Sequence, residues 1–256
     1  MAKIIAIANQ KGGVGKTTTS INLSACLAEK GKKVLVIDSD PQGNTSSGLG
    51  VDKNDLQYSF YDLLLGNATF EQVKIQLDYF ENLHILPSNI ELSGAEIELV
   101  NKENREYLLK NILDIIISDY DFILIDCPPS LNMLTLNALT AANTILVPLQ
   151  CEYYALEGLS QLLYTINLVQ QSLNHSLKIE GVVFTMFDSR TNLSLQVVEE
   201  VKDHLSENVY KSIIPRNVRL SEAPSHGKPI NLYDTKSKGA EAYRLLAEEV
   251  IQNEEA

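Results

Sequence analysis

A chain of 256 residues, 45% hydrophobic and 21% charged, can bury a full α/β core, and no Pro/Gly/Ser-rich linker divides it, so one domain over 1–256 is expected. No apolar run approaches the roughly 20 residues that span a bilayer, Met1-Ala2-Lys3 leads straight into an apolar stretch, and Cys26, Cys127 and Cys151 show no CxxC spacing; a membrane span, a signal peptide, a zinc site and a disulfide framework are read out, and a cytosolic chain is expected. The formal charge of -12 argues against nucleic acid as a partner, but residues 1–177 hold 11 Lys and Arg against 20 Asp and Glu, whereas residues 178–244 hold 10 against 9, so any DNA surface belongs in the later part.

Short apolar runs alternate with longer amphipathic ones, the pattern of a mostly parallel twisted sheet with helices on both faces. The first strand is expected over Lys3 to Asn9 and the first helix over Ser20 to Lys30, stopped by Gly31. Between them runs Asn-Gln-Lys-Gly-Gly-Val-Gly-Lys-Thr-Thr-Thr, residues 9 to 19. A strand, a glycine turn and a helix start suit a polyphosphate, because backbone N–H groups in the turn and at the helix N-terminus converge on one anion. Gly12, Gly13 and Gly15 allow close backbone approach. Lys16 supplies a cation for the β and γ phosphates and Thr17 a hydroxyl for Mg²⁺, which makes this a nucleotide site. The usual GxxxxGK(S/T) spacing would place its first glycine at position 10, where Gln10 stands; the chain has a second lysine, Lys11, instead.

The second strand, Lys33 to Ile37, delivers Asp38, Ser39, Asp40, Pro41, Gln42 and Gly43 at its C-terminal end, where open α/β sheets keep their chemistry. Asp40 is expected to hold the attacking water beside the phosphate loop and Asp38 to support Mg²⁺; both could instead cap the helix that follows. The signal weakens from Asn44 to Gln76, with loop over Asp52 to Gln57 and short helices over Phe60 to Leu65 and Phe70 to Leu77. A strand at Leu83 to Leu86, a helix at Tyr107 to Ile117 and a strand at Asp121 to Ile125 follow. That strand closes on Asp126, which reads as a carboxylate on Mg²⁺, directly or through water. Helices over Ser130 to Ala142, Leu156 to Leu173, Leu195 to Leu205 and Lys236 to Gln252, and strands over Thr144 to Leu149, Ile179 to Phe187 and Val209 to Ile214, complete the chain.

Lys11 to Thr18 reads KGGVGKTT without interruption and closely resembles the deviant Walker A family of P-loop ATPases, which includes ParA, MinD and the nitrogenase iron protein. The resemblance implies ATP sandwiched in a homodimer, Lys11 reaching the partner's phosphates, and Asp40 of the DxDPQ segment as the hydrolytic residue. Lys11, Lys16 and Asp40 are thus the expected catalytic set. Lys11, Gly12, Gly13, Val14, Gly15, Lys16, Thr17 and Thr18, with Pro215 packing on the base and Asn217 bonding to it, are the expected nucleotide-binding set. Thr17, Asp38 and Asp126 are the expected Mg²⁺ residues.

Three segments, Asp126 to Ser130, Phe184 to Asp188 and Pro215 to Pro229, narrow the resemblance to the chromosomal ParA (Soj) branch. It implies a slow ATPase whose ATP dimer binds nucleoid DNA without sequence preference and is released when a ParB-type partner stimulates hydrolysis. Arg190 and Arg219, helped by Lys211, Arg216, Lys236 or Lys238, are the candidate DNA contacts. The acidic end, Glu248 to Ala256, departs from the basic amphipathic tail of MinD-like proteins, so no membrane attachment is expected. Competing readings are a MinD-like or cargo-positioning ATPase that does not act on DNA, and an enzyme that phosphorylates or amidates a small molecule.

Overall fold

A computed structural model describes residues 2–205 and 209–255. Eight strands form one sheet: β1 (Lys3–Ile7), β2 (Val34–Asp38), β3 (Ile75–Leu77), β4 (Phe80–Leu86), β5 (Phe122–Asp126), β6 (Thr144–Gln150), β7 (Lys178–Phe187) and β8 (Val209–Pro215). Their order is β3-β4-β2-β5-β1-β6-β7-β8, parallel throughout except for β3, which runs antiparallel to β4. β1 lies between β5 and β6; the chain runs from β1 to β2 on one side and from β5 across to β6 on the other, and at this reversal a crevice opens beyond the C-terminal ends of the strands. Asp38 and Asp126, the last residues of β2 and β5, face each other in register.

The helices are α1 (Lys16–Glu29), α2 (Asn44–Gly48), α3 (Phe60–Leu65), α4 (Phe70–Val73), α5 (Leu92–Glu98), α6 (Leu108–Ile116), α7 (Met133–Ala141), α8 (Ala155–Ser172), α9 (Asn192–Leu205), α10 (Val218–Glu222), α11 (Ile230–Tyr233) and α12 (Lys238–Glu255). Side chains alternate across a strand, and both faces of this sheet are covered, so each central strand feeds two cores. Ile4 and Ala6 of β1 join Ile123, Ile125 and the buried faces of α6, α7 and α8. Ile5 and Ile7 join Val34, Val36, Leu124 and the buried residues of α1 and α12, among them Tyr243 and Leu246.

The main expected elements are present, with shifted ends. One expectation is overturned: Phe70 to Leu77 is not a helix. Only Phe70–Val73 is helical, held by a capping box between Thr69 and Gln72, and the chain then extends into β3. Pairing with β4 decides this, since a three-residue strand has no periodicity of its own to display. The first helix begins at Lys16 rather than Ser20, because Gly15 adopts a left-handed conformation (φ 90°) and lets the helix start directly off the loop. The short helices α2, α5, α10 and α11 lie in stretches too brief for a hydrophobic period to mark them.

The segment 215–229 returns over α2, and its course depends on a backbone contact between two glycines in the left-handed region, Gly50 (φ 85°) and Gly227 (φ 60°). A Cβ on Gly227 would stand 2.7 Å from the Cα of Gly50, and one on Gly50 2.9 Å from the Gly227 carbonyl oxygen. Gly227→Ala is expected to lower stability by about 1–3 kcal/mol, through the strained dihedral and the displaced backbone, measured as a shifted urea midpoint at unchanged m-value.

Candidate nucleotide site

The phosphate loop is tied at both ends before any ligand arrives. Asn9, buried beyond β1, donates from Nδ2 to the Pro148 carbonyl (2.8 Å) and accepts from the Lys11 backbone N–H at Oδ1 (3.0 Å). Thr185, on β7, donates from Oγ1 to the Val14 carbonyl (2.7 Å). That bond draws the carbonyl of the 14–15 peptide toward β7, and the Gly15 N–H of the same planar unit points the other way. Gly13 (φ 76°) is left-handed as well, and neither Gly12 nor Gly13 has any atom within 4 Å of where a Cβ would sit. The result is an open cradle, not a packed turn.

A cavity of ≈ 730 Å³ lies over the loop. Gly12, Gly13, Gly15, Lys16, Thr17 and Thr18 form its floor, Asp40 and Gln42 one wall, and Thr185, Met186, Pro215, Arg216 and Asn217 the other. Val14, buried, forms no part of the lining; its contribution is the carbonyl held by Thr185. Lys16 is buried and donates from Nζ to the Lys11 carbonyl (3.2 Å). Burial pulls its pKa down, opposed by the nearby carboxylate of Asp126. An ammonium partly withdrawn from water interacts more strongly with an anion than one in bulk solvent.

Asp126 and Asp38 are buried side by side. Asp126 accepts at Oδ2 from the hydroxyls of Thr17 (2.9 Å) and Thr45 (2.6 Å), and at Oδ1 from Ser20 (3.0 Å). Asp38 accepts at Oδ2 from the Ser46 backbone N–H (2.8 Å) and hydroxyl (2.7 Å), and at Oδ1 from the Asp40 N–H (3.3 Å). Burial raises the pKa of both, and for Asp38 the charge of Asp126 adds to the rise. Two crowded carboxylates pushed toward protonation beside a hydroxyl at a helix start fit a divalent hard cation, which would favour their charged forms. No group of three or more His, Cys, Asp or Glu able to hold a metal alone occurs among the described residues. None is needed, because Mg²⁺ in phosphate sites takes one or two protein oxygens plus phosphate and water.

Asp40 sits half-buried on the cavity wall, its Oδ1 accepting from the Gln42 N–H (2.9 Å). It therefore shapes its own turn and faces the cavity at once. Asn217 spends its carboxamide oxygen capping α10, accepting from the N–H groups of Arg219 (2.9 Å) and Leu220 (3.4 Å), which leaves only Nδ2 for a base. Pro215 stands beside it on the same wall.

Lys11 is placed elsewhere. Its carbonyl serves Lys16, but its ammonium turns out of the cradle to Glu152 Oε2 (2.5 Å) and borders a second depression of ≈ 450 Å³ with Gln10, Pro129, Ser130, Leu131, Tyr154, Glu157 and Gln161. The candidate DNA contacts are paired: exposed Arg190 chelates Asp188 (2.6 and 2.9 Å), and Arg219 bridges Glu222 (2.9 Å) and Asp234 (3.5 Å). Lys211, Arg216, Lys236 and Lys238 are exposed. Sequence reasoning missed Ser20, Thr45, Ser46 and Thr185. Three of these lie close to motif residues, but hydroxyl side chains are too common for proximity alone to single them out.

A phosphate loop between a central strand and a helix, facing two buried acids on neighbouring strands, defines a P-loop ATPase that uses ATP and Mg²⁺. A family profile described as an AAA domain matches residues 2–179. The sporulation initiation inhibitor protein Soj of Bacillus subtilis is 60% identical, over 99% of this chain and 100% of that protein. The chromosome partitioning protein ParA of Myxococcus xanthus is 53% identical, over 99% and 89%. A structure of cobyrinic acid a,c-diamide synthase from Mycobacterium smegmatis with bound ADP and magnesium superposes with a TM-score of 0.88 at 42% identity, covering 100% of this chain and 96% of that one. The chain belongs to the ParA/Soj family of chromosome-partitioning ATPases.

Lys16→Gln is expected to abolish nucleotide binding, and Asp40→Ala to retain it while steady-state phosphate release falls by at least about 100-fold, the range general base or water positioning contributes. Equilibrium binding of a fluorescent ATP analogue, run alongside phosphate release, checks both; an unchanged rate in Asp40→Ala would remove that carboxylate from the chemistry.

Proposed function

We propose that this ATPase is a two-state switch: with ATP it forms a homodimer that holds nucleoid DNA without sequence preference, and a ParB-type centromere-binding partner releases it by stimulating hydrolysis. The observation that carries the reading is the divergence of the two loop lysines. Lys16 lies in the cradle of its own chain, while Lys11, five residues earlier, projects its ammonium away from that cradle, onto the face bordered by Leu131 and Tyr154. Leu131 and Tyr154 are exposed large hydrophobic residues, as a face awaiting a second copy would present. A two-fold partner docked there would receive a cation from each side, closing both triphosphates with charge from the opposite chain.

In this reading Lys16 and the loop N–H groups hold the phosphates, Asp40 orients the attacking water, and the partner's Lys11 neutralises charge spreading onto the γ-phosphoryl oxygens. Bound Mg²⁺ would be held by Thr17 with Asp126 and Asp38 behind it, and would supply further charge neutralisation at the phosphates. Turnover is slow until the partner acts, since a switch that discharges early carries no positional information. Association with the nucleoid follows from the DNA-bound state; no helix among the described residues is long and apolar enough to cross a membrane.

DNA binding must overcome a net charge of -12 and the ion pairs of Arg190 and Arg219. Both arginines are solvent-exposed, and ion pairs screened by water are weak, so phosphate can replace the carboxylates at little cost. Dimerisation doubles whatever basic patch results. The amide-forming name of the 42% identical structure supports the competing small-molecule reading, which has no need of DNA.

Two experiments divide these. Lys11→Ala should bind ATP as a monomer and show no ATP-dependent doubling of mass in light scattering, whereas wild type doubles; a wild-type protein that stays monomeric with a non-hydrolysable ATP analogue would end the proposal. In gel shifts with random-sequence DNA, retention should require ATP and fall steeply with salt, by roughly 10-fold or more between 50 and 200 mM for a few phosphate contacts. Arg219→Glu should weaken it at every sequence; equal affinity would exclude Arg219 from the interface.

A further inference from the structure

We infer that Thr45 is a positioning residue for the Asp126 carboxylate behind the metal site, linking it to the segment that carries Asp40. The inference rests on the reading of Thr17, Asp38 and Asp126 as the Mg²⁺ residues. Thr45 is wholly buried in the first turn of α2, two residues past Gly43, and its hydroxyl donates to Asp126 Oδ2 (2.6 Å). The same oxygen accepts from Thr17 Oγ1 (2.9 Å). Two hydroxyl protons from different elements, one at the start of α1 and one on α2, therefore converge on a single carboxylate oxygen.

The consequence is geometric. A Thr17 hydroxyl that gives its proton to Asp126 keeps its oxygen lone pairs for a cation, so the direction in which Thr17 offers them depends on how the Asp126 carboxylate is rotated. Thr45 sets that rotation from α2, and Ser20 holds the other oxygen. The next residue, Ser46, does the corresponding work on the neighbouring acid: it donates to Asp38 Oδ2 by both N–H and hydroxyl, and its Oγ accepts from the Ser88 N–H (2.9 Å). Consecutive residues of one short helix thus grip the two buried acids, and the turn bearing Asp40 leads straight into that grip. Gly43 seats the turn against the Ser88 carbonyl, 2.6 Å from where its Cβ would lie. Ordering the metal-side carboxylate and ordering the Asp40 turn are then one event. Residues that orient metal ligands from behind typically carry about 10- to 100-fold in metal affinity or activity.

The test measures metal dependence apart from turnover. Full-length wild type, Thr45→Val, Thr45→Ser and Asp126→Asn are loaded with a fluorescent ADP analogue in EDTA, and Mg²⁺ is titrated while nucleotide retention is followed. Thr45→Val, nearly isosteric, should raise the half-saturating Mg²⁺ about 10- to 100-fold with metal-free nucleotide affinity unchanged, and Thr45→Ser should restore the wild-type value. A Thr45→Val titration that overlays wild type while Asp126→Asn shifts would overturn the role of Thr45. If Asp126→Asn does not shift either, the metal-site reading fails, and this inference with it. Should Thr45→Val prove unfolded by circular dichroism, Thr45→Cys, similar in size and a weak donor, takes its place with the same two outcomes.

Discussion

Two carboxylates in register on neighbouring strands, buried beneath a buried lysine, are the constraint around which this molecule is arranged. Leaving Asp38 and Asp126 side by side without water would cost several kcal/mol per ion in the absence of partners. The fold offsets part of that cost with hydroxyls and backbone N–H groups, Thr17 and Ser20 from α1, Thr45 and Ser46 from α2, while burial still holds both carboxyls above the ordinary carboxylate range. Charge-assisted bonds of this kind contribute about 1.5–3 kcal/mol each. Such a set makes the ends of β2 and β5, the first turn of α1 and the whole of α2 a single polar unit inside an otherwise apolar sheet.

That unit explains the placement of the rest. The sheet supplies parallel strands whose C-terminal ends open together, so the loop after β1 and the turn after β2 share one cavity. The outer wall comes from far along the chain, where β7 contributes Thr185 and the segment after β8 contributes Pro215, Arg216 and Asn217. The close approach of Gly50 and Gly227 locks that late segment onto the early one. A phosphate loop by itself binds anions; one that is also anchored by β7, flanked by residues 215–217 and backed by paired acids has the parts of a nucleotide site.

The two lysines of the loop show how a single short motif can face two ways. Lys16, at the helix start, is buried at the floor of the cradle with its ammonium on the Lys11 carbonyl. Lys11 precedes the glycines, its N–H held by Asn9 Oδ1, and its side chain emerges on the neighbouring face against Glu152. The chain's acidity is compatible with this arrangement, because the charges that matter act over a few ångströms at partly buried positions, while the net charge acts through screening solvent.

The sequence by itself determined the α/β pattern, the phosphate loop and the family, because hydrophobic runs of alternating length and the unbroken KGGVGKTT are local signals that no later folding step can move. It also marked Lys16, Asp38, Asp40 and Asp126, each standing within or directly after an apolar strand or glycine turn. Tertiary structure decided what depended on contacts between distant segments. Ile75 to Leu77 became a strand because β4 was there to pair with it, Asn217 became a helix cap, and Arg190 and Arg219 found carboxylates nearby. Thr45, Ser46 and Thr185 acquired their roles for the same reason: a hydroxyl carries no periodicity and no charge, so its importance lies in the partner across the cavity, and only the folded chain brings that partner within hydrogen-bonding distance.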